Sequence, residues 1–136
     1  MMSGAVDSTA RADPYPTGPV TMTAGAGPGS GFDLTIRSVG DPLQAERIGN
    51  VPLPVQNRPG GSGADFLAPM VDQHRGADDQ VSVTSLAMMT NQLTGGSPYG
   101  YADVTMIARL MTEYFVVVAR PDSPLRDLTQ LMAAIR

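Results

Sequence analysis

Glycines occupy every second position from Gly25 to Gly31, within the run VTMTAGAGPGSGFD that begins at residue 20. Glycine adopts backbone conformations that other residues avoid, and its N–H group is left uncovered, so that a bound group can approach closely. The pattern predicts a loop that leads into a helix beginning near Phe32 and Asp33. Unpaired N–H groups and the helix dipole attract negative charge at a helix N-terminus. The chemistry predicted for this loop is therefore the binding of a carboxylate or phosphate without a basic side chain.

The composition argues against two familiar phosphate-binding loops. A Walker loop needs Gly-Lys-Ser/Thr, but the chain has no lysine and all nine of its basic residues are arginines. A dinucleotide loop needs G-x-G-x-x-G, and the third glycine position is occupied by Ser30, Phe32 or Leu34 in the three possible registers. A glycine-rich surface turn that binds nothing remains an open alternative. The role of Asp33 is open in the same way, because an acidic residue in a first helical turn interacts favourably with the helix dipole in any protein.

Length and charge limit the classes of protein that the chain can belong to. With 136 residues, of which 42% are apolar, it can bury one modest core. A net charge of −4 with scattered arginines disfavours nucleic acid as a partner. The absence of cysteine excludes disulfides and thiolate chemistry. The longest apolar run, residues 115–119, is far too short to span a bilayer.

Residue types that support catalysis or metal binding are sparse. The single histidine, His74, lies at the end of a predicted helix and has no serine and carboxylate spaced to form a triad with it. Asp78 and Asp79 lie in a predicted turn, where aspartate is common because it bonds to its own backbone. No spacing of histidine and carboxylates is typical of a metal site. We therefore expect neither catalytic residues, nor a metal, nor a cofactor, and an α/β enzyme acting on a phosphorylated substrate is the least favoured alternative.

Four strands are predicted at residues 20–24, 53–56, 80–85 and 114–119. The third strand should place Val81 and Val83 on one face. The fourth strand is apolar throughout, which predicts burial on both faces.

Helices are predicted after each of the first three strands and at the end of the chain. The first should end near Val39 or restart at Pro42, and the second, over 64–74, should be kinked or divided at Pro69. The third covers 86–93, and residues 106–110 are expected to form a short helical turn or strand. The last helix should have Ser123 as its N-cap and Pro124 as its first residue.

Alternating strands and helices predict an α/β fold with three layers and a mostly parallel sheet flanked by helices. In such sheets ligands bind at the carboxyl ends of the strands. Both glycine-rich loops, at 25–31 and 57–63, and the hydroxyl residues Thr84 and Ser85 follow strand ends. The sequence thus predicts that three loops converge at one edge of the sheet.

Five segments, taken in order, closely resemble those of the substrate-binding proteins of tripartite tricarboxylate transporters, the Bug family of type II periplasmic binding proteins. They are PGSGFD at 28–33, VQNRPGGSG at 55–63, DVTMIARL at 103–110, VVVA at 116–119 and DSPLRDL at 122–128. The resemblance implies domain 1 of a two-domain, Venus-flytrap protein outside the cytoplasm, which delivers a small di- or tricarboxylate to membrane permease subunits. It also implies ligand-binding residues at Gly27, Pro28, Gly29, Ser30, Gly31, Phe32, Asp33, Pro59, Gly60, Gly61, Ser62, Gly63, Thr84 and Ser85.

The chain departs from the family in ways that leave an alternative open. The predicted organisation is a disordered leader at 1–17 without a visible signal peptide, a partial ligand-binding domain at 18–121, and the start of a crossover to a second domain at 122–136. The fold is therefore expected to be truncated. The alternative is a truncated paralogue or fragment that binds no ligand on its own. Unpaired sheet edges in such a chain would favour self-association.

Overall fold

The structure, a computed structural model, describes residues 15–135. Residues 1–14 of the predicted leader therefore lie outside the described residues. The strands are β1 (Thr21–Ala24), β2 (Val55–Asn57) and β3 (Gln80–Val83). The α-helices are α1 (Gly31–Ala45), α2 (Ala64–Gln73), α3 (Leu86–Leu93) and α4 (Leu128–Ile135). Two 3-10 turns cover Gly61–Gly63 and Tyr101–Asp103. None of the helices in the described part of the chain has the length and apolarity needed to cross a membrane.

The three strands form one small parallel sheet in the order β2-β1-β3. Ala24, the last residue of β1, is paired with Asn57 on one side and with Val83 on the other. All three strands therefore end at the same edge. The predicted α/β class, with a parallel sheet and flanking helices, is confirmed for a sheet of three strands.

One face of the sheet packs against α1. Met22, Ala24, Ile36 and Val83 form the buried core there, and Val81 packs beside them, as the predicted alternation of β3 requires. Gly40 lies where α1 crosses β1, and a Cβ at that position would come within 2.8 Å of the Met22 sulfur. A second, smaller cluster joins Leu67 and Val71 of α2 with Met88 of α3. α3 has the predicted bounds.

The predicted end or restart of α1 near Pro42 and the predicted division of α2 at Pro69 are wrong, because both helices continue through their prolines. The alternative for α2, a kink at Pro69, stays a prediction. Gly40 serves close packing rather than a helix end. Pro42 and Pro69 each remove one helical donor, whose acceptors would be the carbonyls of Ser38 and Asp65, four residues earlier. Both of these residues are exposed, so that water can take the place of the missing donor.

The predicted fourth strand, at 114–119, is also wrong. This segment has no regular secondary structure, and the side chains of Tyr114 to Val118 are 77–90% exposed. A strand forms only where a neighbouring strand satisfies its backbone groups, and within residues 15–135 the segment pairs with none. Residues 106–110 are likewise irregular, so neither predicted alternative for them is correct.

The last helix begins at Leu128 rather than at Pro124. Its first turn is capped by Asp127, whose carboxylate accepts the N–H of Gln130 at 2.8 Å. The Gln130 side chain in turn accepts the N–H of Arg126 at 2.7 Å. Ser123 instead closes a tight turn by accepting the N–H of Leu125 at 3.1 Å. The aspartate cap therefore sets the start of α4 four residues later than predicted.

Candidate anion-binding site

Three loops meet at the carboxyl edge of the sheet, as predicted. Loop 1 (residues 25–30) follows β1, loop 2 (residues 58–63) follows β2, and loop 3 (residues 84–85) follows β3. Loops 1 and 2 are in direct contact, because a Cβ on Gly25 would lie 2.5 Å from the Phe66 ring and 2.9 Å from the Cα of Gly63. Glycine at position 25 is thus required by this close approach of the two backbones.

Asp33 is the residue that organises loop 1. It is only 3% exposed, and its Oδ2 accepts the N–H of Gly29 at 2.9 Å. Its Oδ1 accepts Nε of Arg37 at 3.0 Å and Nδ2 of Asn57 at 2.9 Å. Asn57 also donates to the carbonyl of Ala26 at 3.0 Å. The carboxylate therefore ties together loop 1, α1 and the end of β2.

These donors hold Asp33 in its ionised form. The Arg37 side chain, then the Gly29 N–H and the Asn57 amide, lower the pKa of Asp33 from 3.8 to about 2. The carboxylate is turned towards the protein's own donors and positions loop 1, while the predicted contact of Asp33 with a ligand stays a prediction. The carboxylate also occupies the N–H of Gly29, whose φ of +77° favours glycine.

The first turn of α1, directly after loop 1, carries backbone donors of its own. Ser30 caps this helix, since its Oγ accepts the N–H of Asp33 at 3.4 Å and its carbonyl accepts that of Leu34 at 2.9 Å. The N–H of Ser30 is bonded to the carbonyl of Gly27 at 3.2 Å. Within residues 15–135, the N–H groups of Gly31 and Phe32 have no hydrogen-bond partner. They are the donors available to an anion.

A carboxylate of the chain itself lies against loop 2. The side chain of Asp65, in the first turn of α2, lies so close to Gly60 and Gly61 that a Cβ on either would clash with its oxygens. The carbonyl of Gly61 accepts Nδ2 of Asn91 at 2.8 Å, which fixes the loop against α3. An anion at this loop would be repelled by Asp65 unless that side chain moved.

An open groove of about 1660 Å³ runs along the edge of β3, and part of the predicted site lines it. The predicted site residues that line it come from loop 1, the start of α1 and loop 3: Ser30, Gly31, Phe32, Thr84 and Ser85. The other predicted residues do not line it: Gly27, Pro28, Gly29, Asp33, Pro59, Gly60, Gly61, Ser62 and Gly63. The structure therefore places loop 3 beside the N-terminus of α1 and leaves loop 2 outside the groove.

Ser85 brings a second helix N-terminus to the groove. It caps α3, and its Oγ accepts the N–H of Ala87 at 3.2 Å. Its hydroxyl proton remains able to donate. Arg75 and Arg109, which were not among the predicted site residues, also line the groove, as do the acidic residues Asp78, Asp103 and Glu113.

Sequence reasoning missed the side chains that support loop 1, namely Arg37, Asn57 and Phe66. Arg37 stands four residues after Asp33, a spacing at which helical side chains meet and which was a usable signal. The contact of Phe66 with Gly25 depends on how two loops pack and has no local signal. In the described part of the chain, no group of three histidine or carboxylate side chains could hold a metal ion.

No protein-family model, no curated protein and no solved structure matches this chain.

Proposed function

We propose that this protein binds a small di- or tricarboxylate at the first turn of α1, as the substrate-binding component of a tripartite tricarboxylate transporter. The observation that carries the proposal is the pair of unpartnered N–H groups, of Gly31 and Phe32, at a helix N-terminus that lines an open groove. Backbone donors and the helix dipole stabilise a carboxylate at such a position.

The second helix N-terminus on the groove accounts for a ligand with more than one carboxylate. One carboxylate is held by Gly31 and Phe32, and another lies towards Ser85 at the start of α3. The resemblance of the five sequence segments to the Bug family supports the transporter, its permease partner and a location outside the cytoplasm.

Two observations favour the alternative, a chain that does not bind ligand on its own. Asp65 lies against Gly60 and Gly61, and Asp33 occupies the N–H of Gly29, so both glycine-rich loops already have a carboxylate of the chain itself beside them. A ligand would then depend on groups that the described residues do not supply. Calorimetry separates the two candidates.

The change Gly31→Pro removes one of the two proposed donors without disturbing the helix. Gly31 is the first residue of α1 and follows Ser30, whose φ of −75° and ψ of 169° suit a residue before proline. Because a hydrogen bond to a charged group is lost, we expect the affinity for citrate or succinate to fall about tenfold to a hundredfold. Isothermal titration of parent and variant measures this.

Gly31→Ala is the matched control, since it keeps the N–H and its Cβ meets no atom within 4 Å. We expect it to bind about as tightly as the parent. Equal affinity of parent and Gly31→Pro would refute binding at this turn. Absence of heat with citrate, succinate, glutarate and an aromatic acid alike would favour the alternative.

A further inference from the structure

The segment YFVVVA, at residues 114–119, is the most exposed apolar part of the described chain. Its side chains from Tyr114 to Val118 are 77–90% exposed, and it has no regular hydrogen bonding. It contains neither charge nor proline, and it is rich in aromatic and β-branched residues, which favour strands. Such a segment is a template for pairing with another strand.

The charges that flank the segment favour one direction of pairing with a second copy. Glu113 precedes it and Arg120 follows it. In an antiparallel pair, Glu113 of one copy and Arg120 of the other lie at the same end of the ribbon, whereas an in-register parallel pair would set like charges side by side. Within one chain, Arg120 Nε lies 3.6 Å from Asp122 Oδ1, and both side chains are highly exposed. Replacing this ion pair by one with Glu113 of the second copy therefore costs little free energy.

The residues of the segment also favour one register. In a two-fold symmetric antiparallel pair, the residue on the axis faces its own copy. With Val116 on the axis, Tyr114 faces Val118 and Phe115 faces Val117, so each aromatic meets a β-branched residue. With Val117 on the axis, Phe115 would face Ala119, Tyr114 would face Arg120, and Pro121, which has no N–H, would enter the ladder.

We propose that two copies of this chain dimerise by antiparallel pairing of residues 112–120 about a two-fold axis at Val116. The pairing uses none of the residues proposed to hold the carboxylate, but it lies along the same groove. A two-stranded ribbon needs an apolar surface to pack on, and Phe115 already lines the groove beside β3, where the half-buried Val81 and the exposed Leu86 offer one.

Cross-linking tests the register, because the chain contains no cysteine. We expect the single variant Val116→Cys to form an intermolecular disulfide on mild oxidation, since the two side chains face each other across the axis. Val117→Cys is the matched control: in this register each Val117 faces Phe115 of the other copy, so its two copies lie diagonally on one face of the ribbon, too far apart to cross-link. Both native side chains are about four-fifths exposed, at 81% and 79%, so neither change disturbs the core.

Analytical ultracentrifugation tests the dimer itself. At about 50 µM we expect the parent to sediment at twice 14.2 kDa and Val116→Lys, which sets like charges face to face on the axis, to sediment as a monomer. Ile135→Lys, on the exposed side of α4, should leave the dimer intact. A monomeric parent, a dimer abolished by Ile135→Lys but not by Val116→Lys, or cross-linking through Val117→Cys instead of Val116→Cys would overturn the proposal.

Discussion

Gly25→Ala is expected to destabilise the protein by about 2–3 kcal/mol, with a fall in the midpoint of thermal unfolding of roughly 10 °C or more. The added Cβ would lie 2.5 Å from two carbons of the Phe66 ring and 2.9 Å from the Cα of Gly63. The first contact could be relieved by turning the ring, which is itself only 3% exposed. The second is a backbone contact, so relieving it means separating loop 1 from loop 2.

Gly27→Ala, two residues further along the same loop, is the control for this prediction. A Cβ there meets no atom within 4 Å, and the position has no positive φ. We expect its unfolding midpoint to stay within about 2 °C of the parent. Differential scanning calorimetry of the three proteins measures the contrast. Similar midpoints for both variants would show that the two backbones are not in contact at Gly25.

Asp33→Asn is expected to lower the unfolding midpoint by about 10 °C. The carboxylate accepts three hydrogen bonds, from Gly29, Arg37 and Asn57, and an amide at this place has only one acceptor oxygen. One of the three donors would then face an N–H₂ group in a buried position. Asp65→Asn is the matched control, because Asp65 is exposed and has no resolved hydrogen bond of this kind. An equal loss in both variants would contradict the role assigned to Asp33.

The same carboxylate predicts a pH dependence. The pKa of Asp33 is lowered from 3.8 to about 2 in the folded protein, so ionised Asp33 stabilises the fold. This stabilisation is complete above the unfolded pKa and is lost as the pH falls from about 4 towards 2. The difference in stability between parent and Asp33→Asn should therefore be constant near neutral pH and shrink across that range. Urea unfolding at several pH values measures it, and a difference that grows on acidification would contradict the assignment.

The fold class and the convergence of the three loops could be predicted because both depend on local patterns. Glycine density and β-branched runs act over a few residues, and the bounds of α3 were predicted from such local patterns. The inward orientation of Asp33 could not be predicted in the same way. It depends on Asn57, which is distant in sequence and reaches Asp33 only because β2 pairs with β1.

The failures have separate physical causes, one of which is that tertiary context overrides local propensity. Residues 114–119 have a strong strand propensity but no strand beside them in the described chain, and they stay exposed. Pro42 and Pro69 disfavour helix locally, yet both helices continue through them. Each proline removes the hydrogen-bond donor of only one carbonyl, and that carbonyl belongs to an exposed residue. At the end of the chain, Asp127 competes with Ser123 for the cap, and the pattern of apolar residues does not distinguish them.

The most direct test of carboxylate binding is an NMR titration of the ¹⁵N-labelled protein with succinate and citrate, following the backbone amides. We expect saturable shifts that are largest at Gly31 and Phe32, with smaller shifts at Ser85, and little change at Gly61, where Asp65 already lies. Shifts concentrated in loop 2 would move the site away from α1. Unchanged amides at Gly31 and Phe32 at millimolar ligand would contradict the proposed function.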